Sequence, residues 1–423
     1  MGFDSLLGVA KFLMSSKSER INTLNKGISE CGKINLADYF ASTFSLSTII
    51  SGTAQFVRNM VVEAQIQCAV NAGIPVVILH SQNAQLPYDL QRMNSGYPIA
   101  VVNPTSANFS PFLGLSEYEA IDIILDSIPE KYDVKQNARY YLEAVSDLMK
   151  ANKIAPSFNN YLTCPHDTVL DRVDKLVYAG KLSDSNAQSM RSKIMIGQSE
   201  HFKIDSFLHG LSKQMGMAAH SKKSQAQPVS IYKTISNGGI IAIDVGPTFN
   251  SIYLDFLVEQ LKLANNKGIP FMLTLDSINV NDNKKLKEII NVNSNSMRMI
   301  VSCDDLLSSC GGSQDLFSSI VASSKQYMIF SHTSAMSAGQ WASVLGEYER
   351  IDENISKSQS RTDDGMGFWS MNPNNNVQKT RTVNTSKRRD FIVPPEKIVS
   401  MQNNELYIRS EAFKGIKHGY ITN

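Results

Sequence analysis

The sequence predicts an α/β protein with a mainly parallel sheet, interrupted by an all-helical inserted domain. Three observations predict it. The first third carries short, continuously apolar runs bounded by Gly, Pro or Asn; residues 116–216 show helical periodicity alone; and the strand–helix rhythm then returns. Short apolar runs between turn residues suit strands buried on both faces, as a parallel sheet requires. Repeated βα units of this length put helices on both faces of that sheet.

The elements follow in order. Leu46–Ile50 is a β-branched run ending at Ser51-Gly52, and an amphipathic stretch covers Arg58–Asn71. Gly73 stops that helix, Pro75 opens the strand Pro75–His80, and Tyr97–Val102 is the next strand, closed by Asn103-Pro104. Helices are expected over Glu117–Ile128, Lys135–Asn152, His166–Ala179, Asp184–Ile196 and Ser206–Met215, with Thr163 and Asp184 as N-caps. A polar connector, Lys222–Pro228, leads to strand Gly239–Asp244, helix Asn250–Asn266 and strand Gly268–Asp276. Helix Lys284–Asn291, strand Met297–Cys303, helix Leu316–Ser323, strand Gln326–Ser331 and helix Ala335–Gly346 complete the second half. Residues 350–390 are rich in Ser, Asn, Thr and basic residues without apolar periodicity, and read as a flexible polar and basic arm. Pro394–Met401 reads as a short helix and Glu405–Arg409 as a short strand.

The 423 residues suggest about three domains at roughly 150 residues each. The pattern reduces this to an α/β domain split by a helical one. Its parts are an N-terminal segment (1–39), the first part of the core (40–115), the insertion (116–228), the second part (229–349), the arm (350–390) and a C-terminal segment packing on the core (391–423). A hydrophobic content of 42% excludes a disordered chain, and a net charge of +2 excludes nucleic-acid binding by bulk charge. The five cysteines are scattered without a Cys-x-x-Cys pair, which points to reduced thiols and a cytoplasmic protein. Neither Cys303…Cys310 nor the dispersed histidines form a metal motif, so no metal ligands are assigned. No run reaches the roughly 18 apolar residues of a membrane span, and the N-terminus lacks a signal-peptide pattern.

A phosphate-binding loop follows a strand and opens a helix in the form G-x-x-x-x-G-K-[ST]. After Leu46–Ile50 this chain has Gly52, Thr53, Ala54, Gln55, Phe56, Val57, Arg58 and Asn59. The first Gly is in place; Val57 replaces the second, Arg58 the Lys, and Asn59 the magnesium-binding hydroxyl. A β-branched residue does not tolerate positive φ, so Val57 prevents the loop from closing in the usual way. Arg58 is bulkier than Lys, and Asn59 offers only a carbonyl oxygen to a small octahedral ion. A plain alternative is that Gly52 simply ends a buried strand. Phe271–Asp276 ends in the Asp that would hold magnesium through water, but Ser277 stands where a catalytic Glu would follow. Asp276 also suits an ordinary turn.

In order and spacing, four stretches carry a resemblance. They are Ser51–Asn59; Ala100–Thr105 with Phe109–Leu115; Leu273–Ser277; and Arg389–Met401. Together they resemble the cytoplasmic part of conjugation and type IV secretion coupling proteins, in the HerA/FtsK-type group of RecA-like P-loop ATPases. The resemblance covers residues 40–410, and the helical insertion matches that family's all-α domain in position. It implies a RecA-like P-loop core with degenerate nucleotide-binding positions at Gly52, Thr53, Ala54, Gln55, Arg58, Asn59, Asp276 and Ser277. ATP and Mg are the cofactors it brings into question. It also implies a homo- or hetero-oligomer with related RecA-like subunits, and DNA or secretion machinery as partners. The family's membrane helices are missing, so the expected place is cytoplasmic, peripheral to the inner membrane through partners.

Lys379, Arg381, Lys387, Arg388 and Arg389 form a basic cluster that could grip DNA phosphates, with Phe368 and Trp369 as stacking faces; a solvated surface is the alternative. Three functional readings stand. The first is a pseudo-ATPase subunit with a structural or regulatory role and at most weak nucleotide binding. The second is a residual ATP-driven DNA or protein translocating motor with non-standard residues. The third is an unrelated α/β binding protein. The family reading expects Gly52 and Asp276 on neighbouring strands, within about 10 Å at a strand spacing near 4.8 Å.

Overall fold

A computed structural model describes residues 27–93, 98–106, 108–162, 166–216, 227–247, 251–281, 283–291, 296–361 and 377–422. The chain falls into two units, Met1–Ile28 with Thr333–Ser400, and Ser29–His332 with Met401–Asn423.

The larger unit begins with β1 (Ile28–Ile34), α1 (Leu36–Thr43), β2 (Thr48–Ser51), α2 (Gln55–Asn71), β3 (Val76–His80), α3 (Gln85–Met93) and β4 (Ile99–Val102). The insertion follows as α4 (Glu117–Ser127), α5 (Ala138–Ala151), α6 (Phe158–Leu162), α7 (His166–Tyr178), α8 (Asp184–Gly197) and α9 (His201–Met215). The rhythm resumes with α10 (Ile231–Ser236), β5 (Ile240–Asp244), α11 (Ile252–Asn266), β6 (Phe271–Asp276), α12 (Lys284–Ile290) and β7 (Met297–Cys303). Then come α13 (Leu306–Ser309), α14 (Gln314–Ser323) and β8 (Gln326–Ile329). The smaller unit contributes α15 (Ala335–Leu345), β9 (Glu347–Arg361), β10 (Val377–Phe391) and α16 (Pro395–Val399). β11 (Glu405–Ser410) and β12 (Ile416–Ile421) return to the larger unit.

Ten strands form one sheet in the order β1-β12-β11-β8-β2-β7-β6-β3-β5-β4. The pairings from β8 through β4 are parallel, and β11 runs antiparallel to both β8 and β12. The expected α/β class with a mainly parallel sheet is therefore the observed one. The insertion leaves at β4, the edge strand, and the chain re-enters beside it as β5, so the helical segment interrupts no strand pairing. Val57, Val61, Val62 and Ile66 of α2 share one core with Ile50, Ile78, Ala242, Met272, Ile300 and Met328 of the sheet. Each such side chain contributes about 1.5–3 kcal/mol on full burial. That packing holds the start of α2 at the carboxyl end of β2.

In the insertion, Ser116 and Glu119 form a capping box at α4, which ties off two orphan donors of the first turn. α8 crosses α5 closely, because a Cβ on Gly197 would sit 2.7 Å from the Tyr141 backbone nitrogen. Phe112, Phe158, Tyr161 and Phe256 form an aromatic cluster joining α6 to α11, with Phe112–Phe256 ring centroids 5.8 Å apart.

Several elements depart from the sequence reading. The 1–39 segment holds β1 and the first residues of α1, whose N-cap Asn35 accepts from the Ala37 and Asp38 N–H groups. β1 is an edge strand of mostly exposed residues, so hydropathy gives no sign of it. Much of the 350–390 segment, read as an irregular arm, is strand: β9 and β10 pair antiparallel over fifteen residues each, from Val377 opposite Arg361 to Phe391 opposite Glu347. Backbone pairing needs no apolar alternation, so hydropathy gives no sign of these strands. Thr163, Cys164 and the Lys222-Lys223 pair lie outside the described residues.

Candidate functional site

In an open parallel sheet, ligands bind outside the carboxyl ends of the strands. At that edge Ser51 is in register with Cys303, Asp276 with Ser302, and His80 with both Asp276 and Asp244. The expectation of neighbouring strands for Gly52 and Asp276 is not met, because β7 lies between β2 and β6. Two strand spacings amount to about 10 Å.

The turn after β2 is shorter than a phosphate-binding loop. α2 starts at Gln55, and the Val57 and Arg58 N–H groups already donate to the Ala54 carbonyl at 3.1 Å. The Gly52 N–H donates to the Cys303 carbonyl at 3.2 Å and the Thr53 N–H to the Ser331 carbonyl at 3.0 Å. These four N–H groups are thus spent on the protein itself. Gly52 has a packing reason as well: a Cβ there would lie 2.4 Å from Phe330 Cβ.

Arg58 does not project from the loop. It is fully buried, its Nη1 donates to the Gly52 carbonyl, and its Nη2 pairs with Asp304, which is itself largely exposed. Its charge reaches two buried groups. Burial pushes the Cys303 thiol up to about 12, with Arg58 pulling it down. The His332 imidazole is lowered to about 4, chiefly by burial, with Asp305 raising it and Arg58 lowering it.

Asn59 and Asp276 are brought together by a residue the sequence reading passed over. The Asn83 amide Nδ2 donates to Asn59 Oδ1 at 3.0 Å and to Asp276 Oδ2 at 2.7 Å. Ser302 Oγ donates to the other carboxylate oxygen of Asp276 at 2.6 Å. All four side chains are buried. Ser277 takes a left-handed φ of 57°, with its N–H on the Ser302 carbonyl at 2.8 Å. Beside this cluster, burial lowers the His80 imidazole, Asp244 and Asp276 raise it, and neither ring nitrogen has a hydrogen-bond partner among the described residues. His80 also lines a cleft of about 260 Å³ with Tyr88, Asn103 and Asp244.

Magnesium does not fit the donor set present, and the usual phosphate cradle is altered. The turn has no free cradle at Gly52, Thr53, Val57 and Arg58, the cation in the Lys position is folded inward, and an amide donor faces the two oxygens that would hold a metal. Thr53 and Gln55 are exposed and Ala54 is half-buried.

The basic residues belong to the other unit. Lys379, Arg381, Lys387, Arg388 and Arg389 occupy β10 opposite Gln359, Lys357, Ile351, Arg350 and Glu349. Arg388 and Arg389 are exposed; the side chains of Lys379, Arg381 and Lys387 lie outside the described residues, as do Phe368 and Trp369. No cluster of three or more metal-ligating side chains occurs among the described residues, and no described helix is long and apolar enough to cross a membrane. Cys31, Cys68, Cys303 and Cys310 are free thiols.

The sequence reading missed Asn83, and it missed the bonds that Ser302 and Asp304, at a strand end where such folds place a polar sensor, make to Asp276 and Arg58. A usable signal existed for Asn83: a polar turn directly after the buried strand ending at His80, at the edge where such sites form.

No family model and no curated protein matches this chain. In fold it is similar to the bacterial conjugative coupling protein TrwBdeltaN70 in its unbound monoclinic form, with a TM-score of 0.48 and 12% identity over 95% of this chain and 91% of that one. The plasmid coupling protein TrwB in complex with ADP and Mg2+ gives a TM-score of 0.48 and 13% identity, with the same coverage. VirB4 of Thermoanaerobacter pseudethanolicus gives 0.44 and 9% identity over 94% of this chain and 98% of that one.

Proposed function

We propose that this chain is a coupling-protein-like, RecA-type subunit that has lost ATP hydrolysis and serves a structural or regulatory role in conjugative DNA transfer or type IV secretion. The observation that carries the loss is the inward Arg58, fully buried and bonded to the carbonyl of the glycine that opens the loop. A phosphate-binding cation must face outward, and this one holds the turn shut. The Lys, the hydroxyl ligand and the Glu of an active site are Arg58, Asn59 and Ser277 here. Each such group supplies on the order of several kcal/mol of transition-state stabilisation. Nucleotide binding is then at most weak.

The family resemblance in four ordered stretches supplies the setting. It suggests assembly with itself or with related subunits, at the cytoplasmic face of the inner membrane through those partners. Arg388 and Arg389, with Lys379, Arg381 and Lys387 on the same strand, are the residues offered to DNA phosphates.

The test is an ATP titration with and without Mg2+, followed by phosphate release. No turnover is expected in the wild type or in Asp276→Ala. Turnover that Asp276→Ala abolishes would overturn the proposal.

A further inference from the structure

We propose that Asn83 is a built-in substitute for a divalent cation, joining Asn59 of α2 to Asp276 of β6 so that this edge of the sheet holds together without metal. The inference rests on the non-hydrolysing reading above and names what fills the site.

Three observations carry it. The first is orientation. Asn83 Oδ1 accepts the Leu86 N–H at 3.3 Å, at the start of α3. A carbonyl must take that donor, so the amide nitrogen is the end that faces Asp276 and Asn59. The second is position. Nδ2 lies 2.7 Å from Asp276 Oδ2 and 3.0 Å from Asn59 Oδ1, one donor between two oxygens on two elements. Both oxygens are hard ligands of the type that Mg2+ and Mn2+ use, and the amide takes the space between them. The bond to a carboxylate is charge-assisted, which makes it the stronger class of hydrogen bond.

The third is that Asn83 cannot easily swing aside. The turn that carries it is pinned along its length: Ser81 N–H donates to the Asp276 carbonyl at 3.1 Å, and Ser81 Oγ to the Gly246 carbonyl at 2.9 Å. Gln82, at a left-handed φ of 57°, donates its N–H to Asp244 Oδ1 at 3.3 Å. Asn83 itself is 3% exposed and Asp276 fully buried. A buried carboxylate needs partners. Here Ser302 and Asn83 supply them, one on each oxygen.

The experiment uses the full chain without nucleotide. Mn2+ binding is read by water-proton relaxation and thermal unfolding is followed in EDTA and in excess Mn2+. Wild type is expected to bind no Mn2+ at this edge and to keep its midpoint. Asn83→Asp places a second carboxylate beside Asp276. It is expected to unfold at lower temperature in EDTA and to recover by roughly 5 °C with Mn2+. Asn83→Ser removes the amide donor without adding charge, and is expected to gain weaker Mn2+ binding. Adding Asp276→Asn to either variant should abolish the gain. Two results would overturn the proposal: Mn2+ bound by wild type and lost in Asp276→Asn, or no gain in either Asn83 variant. The two readings fail separately. ATP turnover in a wild type that binds no Mn2+ alone defeats only the functional reading, while Mn2+ bound without turnover defeats only this one.

Discussion

Removing the Arg58 side chain asks directly whether that residue serves stability or a ligand. In Arg58→Ala the Gly52 carbonyl loses its guanidinium donor inside the protein. A hydrogen bond to a charged group is worth about 1.5–3 kcal/mol, and the void left by a fully buried long side chain adds to the loss. The pairing with Asp304 adds little, because the Asp304 side chain is 71% exposed and such ion pairs are worth about 0–1 kcal/mol. Against these stands the relief of removing a buried charge, which offsets part of the cost. The net loss is about 2–4 kcal/mol, read as a fall in unfolding midpoint on the order of 5 °C by circular dichroism. Arg58→Met, which keeps the volume and removes the charge, should lie within about 1 kcal/mol of wild type. A residue held charged for a ligand would behave in the opposite way, since binding groups are commonly kept at a cost in stability. An Arg58→Ala protein as stable as wild type, or more so, would refute the structural assignment.

Gly52→Ala should destabilise by about 1–3 kcal/mol, because its Cβ would enter Phe330, and urea unfolding measures it. Gly197→Ala should loosen the insertion by a similar amount, through its clash with Tyr141, and faster proteolysis between α5 and α8 would report it. Glu63 is buried and its carboxyl is pushed up to about 7 by burial and by Asp89. Its folded pKa exceeds the unfolded one, so stability is greatest below about pH 4.5 and falls as pH rises towards 7. Glu63→Gln should therefore raise the unfolding midpoint relative to wild type at pH 8 and leave it nearly unchanged at pH 4.5. Asn35→Ala, which removes the α1 cap, should cost about 1 kcal/mol in thermal unfolding.

The alternation of buried strands with helices was legible in the chain, as were the insertion and the suspect positions Gly52, Arg58, Asn59, Asp276 and Ser277. These follow from local properties, since apolar runs, Gly and Pro punctuation and a motif frame need no partner to be recognised. β1 and the β9–β10 pair were not legible, because these strands are held by backbone pairing with other segments, which apolar alternation does not report. Strand order was hidden for the same reason. The sequence puts β2 and β6 in one motif, while the fold places β7 between them.

By itself, then, the sequence determined the α/β class and set Arg58, Asn59 and Ser277 where a phosphate-binding motif would carry Lys, a hydroxyl and Glu. Only the tertiary structure decided what stands in their place. Arg58 turns inward because the Gly52 carbonyl and Asp304 lie within its reach. Asn83 meets Asp276 across 193 positions of chain because β3 and β6 are neighbours in register. A carboxylate buried at a strand end must find donors, and which donors it finds depends on the order of the strands.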